Sequence, residues 1–151
     1  MDISAKEISD REGGCTVKCV IVVDHTLPVG LLANTAAVLA MSIGSQVAAI
    51  IGEDGQDKDG FVHRGITRAV VPVLKGDGAL IRNLRDKLLR MESEALFFVD
   101  FCDVAQRCVD YADYLDKLQR TPAAELAYLG IAICGPDKPV NSLTGSLGLL
   151  R

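Results

Sequence analysis

Apolar and polar positions along the chain fall into segments of two periods. Residues 16–23 (TVKCVIVV) are nearly continuous in apolar, β-branched side chains, the mark of a strand covered on both faces. Thr26 or a neighbour then offers a helix cap, and Pro28 suits a first turn. The Ala-rich LLANTAAVLAM predicts a helix over 28–42, with Gly44 as a left-handed stop. Residues 46–51 read as a short strand and 52–60 as an acidic loop. The apolar run 69–74 contains Pro72, which removes a ladder donor and suggests an edge or a strand end. Over 78–91, Leu80, Ile81, Leu84, Leu88 and Met91 recur at helical spacing, with Arg82, Arg85, Lys87 and Arg90 mostly turned away. A strand over 95–99 ends at Asp100, and a helix follows over 103–118 until Thr121-Pro122 breaks it. Residues 126–134 (LAYLGIAIC) predict a last strand, and 140–145 a short helical turn.

Strands alternating with helices predict a three-layer α/β/α sandwich around a mixed sheet. Residues 1–14 are polar and end in Gly13-Gly14, so they read as an N-terminal arm ahead of a single domain over 15–151. A chain of 151 residues, 49% hydrophobic, suits one core of that size.

Charge narrows the function. Sixteen basic against twenty acidic residues give a net charge of -4, which opposes binding to a phosphate backbone. Apolar runs fall short of the roughly 18 residues of a membrane span, and the polar start lacks a secretory signal's apolar stretch. These readings place the protein in the cytoplasm, with neither nucleic acid nor membrane as partner. Five Cys without a Cys-x-x-Cys pair and two His fit reduced thiols; neither a metal nor a cofactor is expected. Cys19, Cys108 and Cys134 fall on core faces, where packing is their default role.

Ligands of open α/β sheets bind at the carboxyl ends of strands, and two predicted strands end in acids, one at Asp24-His25 and one at Asp100. A carboxylate beside an imidazole can orient a water for hydrolysis. The plainer alternative makes Asp24 and Asp100 caps of the following helices, with His25 in a loop. Asn34, a poor helix former in an Ala- and Leu-rich helix, either contacts a ligand or ties a buried amide to a backbone group, and the tie is the commoner use. The 54–60 loop fails as a calcium site, because with Gly60 at its sixth position the twelfth would be Ile66 rather than an acid. The basic helix face suits phosphate or, more simply, solvent. Phosphate-loop, dinucleotide and nucleophile-elbow motifs are missing.

Two blocks carry a resemblance in residue order. Lys18-Cys19-Val20-Ile21-Val22-Val23, the loop from Asp24 to Gly30 and the Ala-rich helix resemble the opening of type II peptidyl-tRNA hydrolases. Tyr128-Leu129-Gly130-Ile131-Ala132-Ile133-Cys134-Gly135-Pro136 and the later Leu143-Thr144-Gly145-Ser146-Leu147-Gly148-Leu149-Leu150 resemble that superfamily's last strand and terminal segment. The likeness is strongest to its uncharacterised branch, the domain-of-unknown-function family numbered 2000, which has Asn34, a loop ending in Asp59-Gly60 and a similar terminus. It implies a mixed four- or five-stranded sheet between helical layers, with Asp100 and Thr121 matching an Asp and a Thr of the hydrolases.

The hydrolases' lysines beside the glycine that opens the first helix are replaced here by Pro28-Val29-Gly30-Leu31-Leu32. The resulting expectation is a protein without that hydrolase activity, binding a small molecule or a protein partner at the strand-end cleft through Asn34, Gly30, Asp59 and Thr121; a homodimer is compatible with it. The alternative is a hydrolase of peptidyl- or aminoacyl-tRNA esters in which Asp24, His25 and Asp100 replace the lysine.

Overall fold

Strand β1 (Val17–Asp24) is buried from Cys19 to Val23, with Val20 and Val22 in one core cluster and Cys19, Ile21 and Val23 in the other. This two-sided burial is why the segment lacks polar alternation. The computed structural model describes residues 17–47, 50–91, 93 and 95–151, so the proposed arm over 1–14 lies outside the described residues.

The main sheet has the order β4-β1-β6-β5. Strand β4 (Val73–Gly76) runs parallel to β1, while β6 (Tyr128–Pro136) is antiparallel to both β1 and β5 (Phe97–Cys102). Strands β1 and β5 therefore share a direction but are separated by β6. Helix α1 (Val29–Gln46) lays Leu39 and Ile43 on the face that holds Cys19, Ile21 and Val23. Helix α2 (Gly78–Met91), through Ile81, Leu84 and Leu88, and α5 (Asp137–Thr144), through Val140, cover the other face. The expected mixed sheet between helices is present with four strands. A second, two-stranded sheet pairs β2 (Gly55–Gln56) with β3 (Val62–His63) across a turn in which Gly60 takes φ 87°.

Several local expectations change. The strand expected over 46–51 is not found in its described part: Gln46 closes the helix, in which Leu39, Ile43 and Val47 continue one apolar row with Gly44 inside it, Val47 N–H bonds Ile43 C=O, and Ile51 makes an isolated bridge with Thr67, while residues 48 and 49 lie outside the described residues. The cap position of α1 is Pro28, without a side-chain bond, because Thr26 is held by Asp24 instead. Helix α1 spans 18 residues without one charge, so by length and composition it is apolar enough to cross a membrane, contrary to the sequence reading; in this fold it sits against β1, β5 and β6. The helix expected over 103–118 is divided into α3 (Asp103–Gln106) and α4 (Tyr111–Arg120). The break has a reciprocal cap: Asp110 accepts from Asp113 N–H while the Asp113 carboxylate accepts from Val109 N–H.

Register also corrects the cysteine reading. Cys19 and Cys134 face each other across β1 and β6 with Cα atoms 4.1 Å apart, and they form a disulfide. Cys102 and Cys108 are free thiols. The outer edge of β4 is covered from within the chain, since Lys75 N–H bonds Gly148 C=O and Leu150 N–H bonds Val73 C=O. Pro72 lies just before this strand, consistent with the predicted edge position.

Candidate functional site

The loop leaving β1 uses its polar groups within the fold, on itself and on the end of β4. Asp24 Oδ1 accepts from Thr26 N–H at 3.0 Å and from Thr26 Oγ1 at 2.7 Å, closing a local turn. His25 donates its backbone N–H to Gly76 C=O, and its Nδ1 lies 2.7 Å from the same oxygen. A carbonyl only accepts, so Nδ1 carries the proton.

Asp100 sits within β5, opposite Ile131, which is itself opposite Val22. Two strand spacings and two residue rises put its Cα roughly 12 Å from that of Asp24. Strand β5 runs on to Cys102, so Asp100 is an interior residue of the strand rather than its end; Asp24, His25 and Asp100 do not form one hydrogen-bonded group, and neither acid caps a helix.

Asp100 belongs to a different cluster. Arg82 and Arg85 stand three residues apart on α2 and therefore on one face. Their guanidinium carbons lie 5.1 and 5.3 Å from the centre of the Tyr128 ring, within cation–π range. Arg85 Nε donates to Asp100 Oδ2 at 2.8 Å. Arg82 donates to Ala123 C=O at 3.0 Å and to Leu126 C=O, pinning the 3₁₀ turn Ala123–Glu125 and the approach to β6. Lys87 and Arg90 remain on the exposed face, as expected, whereas Arg82 and Arg85 are half-buried over Tyr128.

Tyr128 is 3% exposed, and its hydroxyl has no hydrogen-bond partner among the described residues. Native proteins seldom leave such a group unsatisfied, because its lost hydration is not replaced. Burial pushes the Tyr128 phenol above its ordinary range, against the pull of the Arg85 charge. Tyr114 of α4 is pushed up by burial and by the nearby Cys102 and Asp100. Burial also raises the Cys102 thiol, despite the Val104 and Ala105 N–H groups beside it. Burial works against the Arg85 charge, but the Asp100 hydrogen bond and carboxylate outweigh it, so the guanidinium stays protonated. The two phenols and the thiol are protonated at neutral pH, which suits recognition by hydrogen bonds better than proton transfer.

The residues named for ligand binding are dispersed. Asn34 is exposed and makes no hydrogen bond within the described structure, so the expected buried tie is absent; its neighbour Thr35 is the buried residue. Thr35 packs so closely on β6 that a Cβ at Gly130 would lie 2.6 Å from Thr35 Cγ2, which explains glycine there. Gly30 is exposed in the first turn of α1 with open space around it. Asp59 is exposed in the hairpin turn, its N–H bonded to Asp57 Oδ1. Thr121 Oγ1 donates to Lys117 C=O where α4 ends, leading into the segment that Arg82 holds.

Sequence reasoning missed Arg82, Arg85 and Tyr128 as a unit. The available signal was two arginines three apart on a predicted helix and a tyrosine opening the last strand. On the opposite face, a shallow groove of about 460 Å³ is lined by Met41, Ser42, Ser45, Gln46, Phe97 and Val99. It contains no charged side chain and lacks comparable convergence of polar groups.

A model of the family described as "Protein of unknown function (DUF2000)" matches residues 17–151. Among solved structures, the chain is similar to the protein of unknown function Atu0240 from Agrobacterium tumefaciens strain C58. The TM-score is 0.79 at 20% identity, covering 88% of this chain and 96% of the other, a likeness of fold. No curated protein matches.

Proposed function

The chain belongs to the DUF2000 family of proteins of unknown function, and from that premise we propose that it binds a small molecule where β5 meets α2, at Arg85, Asp100 and Tyr128. The observation that carries this reading is the Tyr128 hydroxyl, buried without a partner among the described residues, on a ring that packs against Arg85 of an ion pair partly open to solvent. A bound molecule would complete a hydrogen bond that the fold leaves unmade. The site proposed here is centred on Asp100, inside β5, rather than on the strand end at Asp24 and His25.

Hydrolysis of a tRNA ester is the weaker reading. A general base must come within about 3 Å of the proton it takes, directly or through one water. Asp24 is engaged by Thr26 and His25 by Gly76 C=O at the end of β4, two strands from Asp100. The type II peptidyl-tRNA hydrolase-like scaffold stays part of this proposal on the strength of the two sequence blocks.

The test is a fragment screen by protein NMR. Hits should shift the signals of Tyr128, Arg85 and Asp100, and should be lost in Tyr128→Phe and Asp100→Asn variants that keep native-like spectra. Hits that map elsewhere, or that survive both substitutions, would overturn the assignment.

A further inference from the structure

We propose that this site recognises an uncharged cis-amide edge, a planar group with an N–H donor beside a C=O acceptor, as in a lactam. The inference rests on the ligand-binding reading above and adds the chemical class.

Hydrogen-bond geometry supplies the first support. Arg85 meets Asp100 through Nε and Oδ2 alone, rather than as a two-point fork. Among the described residues, Asp100 Oδ1 is left to accept and the Arg85 terminal nitrogens are left to donate. Arg85 Nη1 lies 3.8 Å from Asp86 Oδ1, beyond a normal hydrogen bond. One open acceptor therefore sits beside open donors, the complement of an amide edge. The Tyr128 ring lies under both guanidinium groups, so a ligand held at Arg85 is sensed there as well.

Charge balance supplies the second. Arg85 has Asp100 in contact and Asp86 at 3.8 Å, Arg82 is held by the Ala123 and Leu126 carbonyls, and Asp103, beside Cys102, is paired with Arg107. The remaining titratable groups facing the pair are Tyr114, Tyr128 and Cys102, all neutral. An anion would meet Asp100, and a cation would meet the two guanidinium groups. A neutral group that gives one hydrogen bond and takes another opposes neither. With side-chain exposures of 26% and 27%, Arg85 and Asp100 are open to such a ligand from solvent.

The experiment titrates the full chain, by NMR, with four probes at equal ionic strength: 2-piperidone (a cis amide), N-methylacetamide (a trans amide), acetate and guanidinium. Shifts are read at Arg85 Nε–H and the Tyr128 ring. We expect 2-piperidone to saturate these signals with an affinity at least about tenfold above the other three. In Asp100→Asn, the loss of a carboxylate should weaken 2-piperidone by about fivefold or more and strengthen acetate. Acetate or guanidinium binding as tightly as 2-piperidone in the native protein would overturn the uncharged class and leave the binding site standing. N-methylacetamide matching 2-piperidone would overturn the cis edge alone. Silence at both residues with all four probes would remove the site itself.

Discussion

Opening the Cys19–Cys134 bond should cost the fold about 4.8 kcal/mol at 25 °C. The two cysteines are 115 residues apart, and the chain-entropy relation for a closed loop of that length gives this value. With a urea dependence of about 2 kcal/mol per molar, the unfolding midpoint should fall by roughly 2.4 M. Because both sulfurs are buried, with Cys19 0% and Cys134 2% exposed, a reductant acts only after unfolding. The assay therefore reduces the protein in urea, refolds it under reductant and compares its unfolding curve with that of oxidised protein. A Cys19→Ala/Cys134→Ala double variant serves as control, its midpoint unmoved by reductant. Five reactive thiols in denatured, unreduced protein would refute the bond, since the chain has five cysteines and two should be blocked. Oxidised and reduced midpoints that coincide would refute the energetic reasoning.

Other expectations follow from the same packing. Tyr128→Phe removes an unsatisfied buried hydroxyl and should stabilise the ligand-free protein by about 1 kcal/mol in urea unfolding; destabilisation would mean that the hydroxyl has a partner. Gly130→Ala places a Cβ 2.6 Å from Thr35 Cγ2 and 2.9 Å from Leu39 Cδ1, so it should destabilise by about 1 to 3 kcal/mol; an unchanged midpoint would show that α1 yields easily. Asp57 is held below its ordinary value of 3.8 by the His63 hydrogen bond and then by Phe61 N–H. A depressed folded pKa means that its contribution is present above 3.8 and is lost as pH falls through the lower folded value, so the β2–β3 turn should loosen there. A Phe61 amide protection factor that does not change as pH falls below 3.8 would contradict this.

Legibility followed the strength of periodicity. Helix α2 matches its expected bounds because Ile81, Leu84 and Leu88 form one buried row opposite charged positions. Strand β1 was equally clear, because burial on both faces leaves an unbroken apolar run. Helix α1 hid its end because Gly44 reads as a left-handed stop, whereas the buried row Leu39, Ile43 and Val47 carries the helix through it to Gln46. The α3–α4 break was written in Asp110-Tyr111-Ala112-Asp113, but the apolar spacing through it favoured one helix. At the site, the common direction of the strands carrying Asp24 and Asp100 is legible in the sequence, but the extension of β5 to Cys102 and the separation of the two acids depend on strand order and register. Tyr128 reads in sequence as an ordinary core aromatic. Its unmet hydroxyl and the Arg82 and Arg85 contacts arise only once α2 crosses the start of β6.

The central place of β6 orders the protein's birth. Strand β1 has β6 as its antiparallel neighbour, and β5 joins the sheet through β6. On the ribosome, β1, β4 and β5 all emerge before the strand that unites them, so the sheet cannot close until residue 136 is free. Up to that moment β5 offers an apolar strand with no mate, the state in which a nascent chain is most open to wrong pairing and to chaperones.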